Sequence, residues 1–332
     1  MKQLLDKLAQ GVLPQREELA AAIAAADFGA VYAAADECRR RTVGDTVHLR
    51  AIVEFSNHCR RQCRYCGLNA HNSNLRRFRM TPDEIVQTAR QAADAGYRTV
   101  VLQSGEDAWF TPQVLGDVVR RIKAETGLVI TLSCGELPEA DYAYFRQCGA
   151  DRYLLKHETA DPELYAALHP CGTLENRVRC LNTLKRLGYE TGSGFMIGLP
   201  GQTADTIAAD LLLLSEIGCD MAGIGPFIPH PGTSLGGEAA GTAELTKRAV
   251  ALARLLLPKC NLPATTALGV LDSGERDDIF SCGANVVMRK VTPPEYRKFY
   301  EIYPADFGAV KSVAEERAEL ENIIKKLGRI PL

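Results

Sequence analysis

Apolar runs of strand length alternate with helical segments along most of the chain. The pattern predicts eight strands, which begin near residues 47, 99, 128, 152, 190, 221, 263 and 284. A helical segment separates each pair, and two of these segments begin with Thr-Pro, at Thr81 and Thr111, a pair typical of a helix N-terminus. Such strands indicate a parallel sheet, because parallel strands need a crossover connection.

The number of units favours one architecture over another. Eight units predict an α/β fold of the closed (β/α)8 TIM type, whereas a doubly wound sheet would show the same alternation with another count. We predict an N-terminal helical extension over 1–45, the barrel over 46–295 and a C-terminal capping helical segment over 296–332. Within that segment, 311–328 predicts an amphipathic helix. Active sites of such barrels lie at the carboxyl ends of the strands.

Composition and charge narrow the possible partners. The chain of 332 residues is 46% hydrophobic and 24% charged, as expected of a folded protein with a large core. Its 39 Lys and Arg nearly balance 41 Asp and Glu, so no general attraction to nucleic acid or anionic membranes is expected. The apolar runs are shorter than the ~20 residues of a membrane span, and the start does not resemble a secretory signal. These features predict a soluble cytoplasmic protein.

Three of the eleven cysteines are clustered. An odd number argues against a disulfide framework, and the eight single cysteines are expected to be core residues. Cys59, Cys63 and Cys66 form C-x3-C-x2-C after the first strand, in a segment (55–80) with six arginines and no acid. Three thiolates on one loop can hold an iron–sulfur cluster and leave one iron open. A zinc site completed by His58 or His71 is an alternative, as is a redox or disulfide role.

The cysteine motif, with Tyr65 just before its last cysteine, resembles that of the radical S-adenosylmethionine (SAM) superfamily. The strings VLQSGED, RYLLKHETA, LPGQT, GIGPFIPHPGT, PATTALG and CGANVVM, in this order, resemble the HydE family of [FeFe]-hydrogenase maturases. The resemblance implies a [4Fe–4S] cluster with three Cys ligands, whose open iron binds SAM. Reductive cleavage of SAM would give a 5′-deoxyadenosyl radical. The implied substrate is organometallic, an iron carrying CO, cyanide and cysteine that is activated for the diiron subcluster of the H-cluster.

The resemblance also assigns roles to residues. It makes the three cysteines the catalytic and metal-binding residues, and it predicts contacts with SAM for Tyr65, Gln103, Ser104, Gly105, Glu158, Arg177 and Met221. It predicts substrate contacts for Thr131, Lys156, Thr265, Thr266, Tyr300 and Tyr303. Other interpretations are a structural ion pair between Glu158 and Arg177, a core role for Met221, and buried, hydrogen-bonded hydroxyls for the threonines.

The chain departs from the family pattern at two places. Lys156 stands where Arg is expected, which removes a bidentate fork and keeps the charge. Residues 283–332 contain no Cys, so no second cluster is expected there. Alternatives within the superfamily are a carbon-skeleton mutase like methylornithine synthase or an enzyme like biotin synthase, and outside it an iron–sulfur carrier. Expected partners are an electron donor such as ferredoxin or flavodoxin and other hydrogenase maturases, in an anaerobic setting.

Overall fold

Eight parallel strands surround the centre of the molecule. The computed structural model describes residues 1–271, 274, 278–304 and 311–332. The strands in these residues are β1 (Thr46–Ser56), β2 (Thr99–Ser104), β3 (Val129–Ser133), β4 (Arg152–Leu154), β5 (Glu190–Ser193), β6 (Met196–Ile197), β7 (Met221–Ala222), β8 (Gly225–Pro226), β9 (Pro263–Ala264), β10 (Val286–Lys290) and β11 (Ile330–Pro331).

The strand order is that of a nearly closed barrel. Neighbouring strands are hydrogen-bonded in the order β7, β5, β4, β3, β2, β1, β10, β9, and each pair is parallel. Met221 of β7 also forms a parallel bridge with Asn261, just before β9. The predicted (β/α)8 barrel is therefore confirmed.

The helices cover the outside of the barrel. They are α1 (Lys2–Ala9), α2 (Arg16–Ala24), α3 (Gly29–Val43), α4 (Pro82–Asp94), α5 (Pro112–Thr126), α6 (Glu139–Gln147), α7 (Pro162–Leu168), α8 (Leu174–Arg186), α9 (Ala204–Ile217), α10 (Ala243–Leu256), α11 (Thr266–Leu271), α12 (Pro294–Arg297) and α13 (Val313–Lys326). At the start of α4, the Thr81 hydroxyl accepts the Glu84 amide while the Glu84 carboxylate accepts the Thr81 amide. This capping box explains why Thr-Pro correctly predicted the start of a helix at Thr81.

Three predicted strands differ from the observed ones. The runs at 190–201 and 221–230 are each broken into two short strands, and β6 pairs with β8 apart from the main sheet. The first break lies at Gly194, where φ is +151° and a Cβ would stand 2.1 Å from the Gly223 carbonyl oxygen. The run at 263–269 is a strand only to Ala264, because α11 begins at Thr266. The helical segment predicted between the last two strands, near 275–281, lies partly outside the described residues, and Ile279–Cys282 forms a 3-10 turn.

The C-terminal end of the chain pairs with the amino-terminal end of β1. The last strand, β11, pairs in parallel with Thr46 and Val47, so the C-terminal segment is not wholly helical as predicted. A two-residue strand is too short for a period to reveal it. Among the described residues, a search for membrane-spanning helices finds no single candidate, and only the bent pair α2 and α3 has enough length and apolar character together.

Candidate active site

The carboxyl ends of the barrel strands enclose a cavity of about 360 Å³. Every residue predicted for the site except one lines it: Cys59, Cys63, Tyr65, Cys66, Gln103, Ser104, Gly105, Lys156, Glu158, Arg177, Met221, Thr265, Thr266, Tyr300 and Tyr303. The fold thus brings together side chains that are up to about two hundred and forty residues apart in sequence, at the end of the barrel where such sites form.

Thr131 is the exception, and its predicted place in the cavity is wrong. Its side chain is buried within β3 and its hydroxyl has no hydrogen-bond partner there. Ser133, two residues further along the same strand, lines the cavity instead. Inward-facing side chains of a strand alternate with outward-facing ones, so sequence gives the face but not the depth at which the cavity begins.

The cysteine loop is held in place by its own polar residues. The Asn57 side chain donates to the carbonyl oxygens of Arg76 and Phe299 at 2.8 and 2.7 Å, and accepts the Phe78 amide at 2.7 Å. The Arg77 guanidinium donates to four carbonyl oxygens of the loop, those of Asn57, Leu68, Asn69 and Asn72. These contacts order the loop on both sides of the three cysteines. Arg77, one of the six arginines of this segment, therefore binds the backbone of the loop.

The surroundings of the thiols suit iron–sulfur ligation. The backbone amides of Arg61 and Glu106 both donate to Cys59 Sγ at 3.4 Å. Burial raises the pKa of the Cys63 thiol to about 12, so the thiolate that ligates iron depends on the charge of the bound metal. Three thiols along one wall of one cavity fit a [4Fe–4S] cluster with three protein ligands.

A mononuclear metal site finds no such support. In the described part of the chain, no group of three or more His, Cys, Asp or Glu side chains is arranged to hold one metal ion. His71, offered above as a fourth zinc ligand, is exposed and lies outside the cavity. The thiolates of a cubane cluster bind different irons, so they need not converge on one point as zinc ligands do.

Glu136 is the centre of an ion network that the sequence did not reveal. Its carboxylate is buried and accepts Arg177 Nε at 2.5 Å, Arg61 Nη2 at 2.9 Å and Asn176 Nδ2 at 2.6 Å. Burial alone would raise the pKa of Glu136, but the charge of Arg177 and these hydrogen bonds outweigh it and hold the pKa below its usual 4.5. Arg177 is therefore paired with Glu136 rather than with Glu158.

Glu158 has a strained backbone. Its φ is +67°, and it is the only non-glycine residue with positive φ in the described ranges. This conformation costs about 1–3 kcal/mol for a residue with a Cβ and is retained mainly at functional sites. Its carboxylate lies 2.9 Å from Lys156 Nζ. Burial opposes ionisation, but the charge of Lys156 prevails and lowers the pKa of Glu158.

Tyr65 is fixed at the edge of the cavity by a histidine. Its hydroxyl lies 3.0 Å from His169 Nε2, and the His169 ring stacks on Tyr165 with centroids 4.1 Å apart. Burial lowers the pKa of His169 to about 4, so the ring is neutral. Its Nε2 therefore accepts a hydrogen bond from the Tyr65 hydroxyl. The tyrosine ring can therefore present a rigid apolar face to a ligand.

Arg50 is a cavity residue that the sequence analysis missed. Its side chain is 5% exposed, its Nε has no hydrogen-bond partner, and its Nη1 contacts Met221 Sδ at 3.1 Å. Burial lowers the pKa of Arg50 to about 10, which leaves the guanidinium charged at neutral pH. No carboxylate lies within ion-pair distance among the described residues. The alternation of Arg50, Ile52 and Glu54 along β1 was the signal that could have found it.

The remaining polar groups of the cavity are partly paired. Glu54 lies 2.8 Å from Lys290 Nζ through one oxygen, while its other oxygen has no hydrogen-bond partner. The Thr265 hydroxyl is also buried without a partner. Such unpaired polar atoms are costly in a protein interior unless a ligand satisfies them.

The barrel, with three cysteines on the loop after its first strand, defines a radical SAM enzyme. The sequence profile of the radical SAM superfamily matches residues 53–214. The "[FeFe] hydrogenase maturase subunit HydE" of Thermotoga maritima is 50% identical over 333 residues, which span 99% of this chain and 95% of that protein. The chain belongs to the HydE family of this superfamily, and its cofactors are a [4Fe–4S] cluster and SAM. The predictions of an enzyme and of both cofactors are confirmed, and the alternative of an iron–sulfur carrier is wrong.

Other relatives share the architecture at lower identity. The 3-methylornithine synthase of Methanosarcina barkeri is 29% identical over 301 residues, covering 90% of this chain and 83% of that protein. A crystal structure of methylornithine synthase (PylB) superposes with a TM-score of 0.88 at 27% identity, and covers 99% of this chain and 97% of that one.

Proposed function

We propose that this enzyme acts in maturation of the [FeFe]-hydrogenase H-cluster on an anionic organometallic substrate, an iron carrying CO, cyanide and cysteine. One observation carries the choice of substrate charge. Arg50 places a buried cation in the cavity, and no carboxylate of the described residues lies within ion-pair distance of it. A buried charge without a counterion is unfavourable, and an anionic substrate supplies that counterion.

The residues of the cavity divide into two groups in this proposal. Cys59, Cys63 and Cys66 hold the cluster, which together with SAM supplies one-electron cleavage of the sulfonium bond when both are bound. The group proposed to bind SAM consists of Tyr65, Gln103, Ser104, Gly105, Glu158, Arg177 and Met221. The group proposed to bind the substrate consists of Arg50, Lys156, Thr265, Thr266, Tyr300 and Tyr303. The ionised Glu158 accepts hydrogen bonds from hydroxyl or ammonium groups.

The segment around Tyr300 is proposed to keep water from the reacting groups. Tyr300 is 2% exposed and lies beside Gln103, and Tyr303 lies beside Thr266. The carbonyl oxygen of Ile302 accepts the Gly67 amide of the cysteine loop at 2.8 Å. The mouth of the barrel is thus joined to the loop of the cluster, and a radical formed inside is shielded from solvent.

An exposed face of the cysteine loop suits the proposed electron donor. Arg60 is 60% exposed through its side chain, and Arg64 is exposed beside Cys63. These cations favour an acidic donor such as ferredoxin or flavodoxin, whose approach they would steer. None of the eleven cysteines forms a disulfide, which is consistent with the proposed location in the reducing cytoplasm.

The test compares two substrates under one set of anaerobic conditions. Reconstituted enzyme receives dithionite, SAM and either the synthetic iron dicarbonyl cyanide cysteine complex or lysine, the substrate class of a mutase. We expect consumption of the iron complex, with 5′-deoxyadenosine or an adenosylated product, and no consumption of lysine. Consumption of lysine with the iron complex left intact would assign the chain to mutase chemistry instead.

Two cysteine variants control this test. Cys63→Ala is expected to abolish both the electron paramagnetic resonance signal of the cluster and SAM cleavage. Cys38→Ala removes a half-buried thiol of α3 that contacts the Arg254 carbonyl oxygen at 3.6 Å, so it should retain both. SAM cleavage by Cys63→Ala at the native rate would contradict the assigned ligand.

A further inference from the structure

The turn at 157–160 is held at both ends by buried side chains. The His157 amide donates to Ser193 Oγ at 3.2 Å, and the Ala160 amide donates to Asp210 Oδ1 at 2.5 Å. Between them, the Glu158 amide donates to the Gly194 carbonyl oxygen at 2.9 Å. The Thr159 amide completes the turn by donating to the His157 carbonyl oxygen at 2.9 Å. Every amide of the turn is thus satisfied, and those at its two ends depend on side chains.

The ring of His157 connects these two side chains. Its Nδ1 lies 2.9 Å from Ser193 Oγ, and its Nε2 lies 3.4 Å from Asp210 Oδ1. Neither His157 nor Asp210 has any exposed side-chain surface. One face of the ring packs on Phe195, whose backbone is bridged to Glu158. The ring therefore lies under the turn and spans it.

The His157 ring is uncharged. Burial lowers the pKa of His157 to about 3, and burial also raises the pKa of Asp210 above its usual value. Ser193 Oγ donates its proton to the Leu155 carbonyl oxygen at 3.1 Å, which leaves it to accept from the Nδ1–H of the ring. Nε2 lies beside the Asp210 carboxyl group and has no hydrogen-bond partner among the described residues. A neutral ring at this place avoids the cost of a buried charge.

We infer that Ser193, His157 and Asp210 form a clamp that holds Glu158 in its left-handed conformation and so positions its carboxylate in the cavity. The positive φ of Glu158 is energetically unfavourable, and such a strained backbone persists only where its surroundings fix it. The clamp supplies that constraint from residues on β5, the end of β4 and α9. The inference rests on the proposed role of Glu158 in binding SAM. All three members of the clamp are positioning residues and lie outside the cavity lining.

The first measurement is the dissociation constant for SAM in oxidised, cluster-loaded enzyme, where no turnover occurs. His157→Phe and Asp210→Ala should each raise it about tenfold, an effect of the size seen for coupled neighbours. Asp210→Asn should raise it less than Asp210→Ala does, because the amide oxygen of asparagine can still accept the Ala160 amide. The control Thr246→Val removes a buried hydroxyl of α10 that bonds only within its own helix and should change nothing.

A double-mutant cycle separates positioning from general damage. In a Glu158→Ala background, His157→Phe should raise the dissociation constant less than twofold, because no carboxylate remains to be positioned. An equal loss with and without the Glu158 carboxylate would overturn the clamp. If His157→Phe does not fold, Ser193→Ala takes its place in the same cycle, because it removes the partner of both the His157 amide and Nδ1.

The second measurement is independent of SAM. With the clamp intact, Glu158→Gly should unfold at least about 2 °C above Glu158→Ala in cluster-loaded enzyme, because only glycine adopts this φ without strain. With His157→Phe present, the difference should shrink. Equal unfolding temperatures in the native background would refute the clamp. An unchanged SAM affinity in Glu158→Ala, with the unfolding difference present, would instead refute the proposed SAM contact and leave the clamp standing.

Discussion

Two buried arginines show how this molecule separates structure from function. Arg254 of α10 is completely buried and donates to three oxygens, those of Gly283, Pro258 and Asn285, at 2.8 to 3.0 Å. Arg50 is nearly as buried, but its only hydrogen-bond acceptor among the described residues is a thioether sulfur. Burial lowers the pKa of both to about 10. The guanidinium of Arg254 in the barrel wall is thus fully hydrogen-bonded, whereas that of Arg50 in the cavity is not. Only the guanidinium of Arg50 is available to a ligand.

The two ends of the barrel repeat this contrast. At the amino-terminal end, Arg39 is 2% exposed and binds Asp36, Asp45 and the Gly44 carbonyl oxygen. At the carboxyl end, one oxygen of Glu54 and the hydroxyl of Thr265 have no partner. Buried polar atoms normally have partners, so the unpaired atoms that line the cavity are available to a ligand.

Exchanging each arginine for Met tests the contrast with the largest expected effect. Arg50→Met should lower turnover of the iron complex about 100-fold, because a buried charge contact is worth several kcal/mol. SAM cleavage without substrate should stay within about threefold. Its unfolding free energy should be unchanged or higher, since an unpaired buried cation is removed.

Arg254→Met serves as the matched variant. It leaves three buried acceptors without a donor and should lower the unfolding free energy by about 3 kcal/mol. Urea unfolding and product formation are measured on both proteins. A loss of stability in Arg50→Met as large as in Arg254→Met would show that both arginines stabilise the fold, and would contradict the separate role of Arg50.

Two glycines give the second test, with an effect near tenfold. A Cβ at Gly105 would stand 2.3 Å from the His58 carbonyl oxygen and 2.7 Å from Cys59 Cβ. Overpacking of this kind costs about 1–3 kcal/mol, so Gly105→Ala should displace the cysteine loop and weaken cluster retention about tenfold, measured as iron bound after chelator treatment.

Gly188 offers the opposite environment. It has φ +79° and open space around an added Cβ, so Gly188→Ala should cost about 1 kcal/mol of stability through strain alone. Its cluster content should remain native. Equal iron loss in the two variants would show that the tight contact at Gly105 is not specific to the cluster.

The pH dependence of stability tests the ion network around Glu136. The pKa of Glu136 is lowered in the folded protein, so its contribution is present above the unfolded pKa and is lost as the pH falls through the folded value. Glu136→Gln should therefore cost about 2 kcal/mol at pH 7, and the difference from the native enzyme should shrink below about pH 4.5.

Glu238→Gln is the control for this experiment. Its carboxylate is exposed, so its removal should change stability by less than about 0.5 kcal/mol at any pH. Unfolding free energies are measured between pH 3.5 and 7. A difference between Glu136→Gln and the native enzyme that is constant over this range would show that the Glu136 charge is not stabilised by its neighbours.

Periodicity was enough for the architecture but not for the details at the strand ends. The eight predicted strand positions all contain parallel strands, because an apolar run between two helices has few other places in a soluble fold. The runs that begin near 190, 221 and 263 were drawn too long. Their ends turn where backbones approach closely, as at Gly194, and such contacts involve residues far apart in sequence.

The sequence alone determined the strand count and a loop with three cysteines, because both are local: a hydrophobic period and a spacing within eight residues. It also named most side chains of the cavity, since strand ends meet at one end of a parallel barrel. Only the tertiary structure decided which charges are paired. Glu136 forms an ion pair with Arg177, Lys156 forms one with Glu158, and Arg50 faces the cavity. These pairings depend on distances between neighbouring strands, which hydrophobic periodicity does not reveal. They also depend on burial, which no single strand creates by itself.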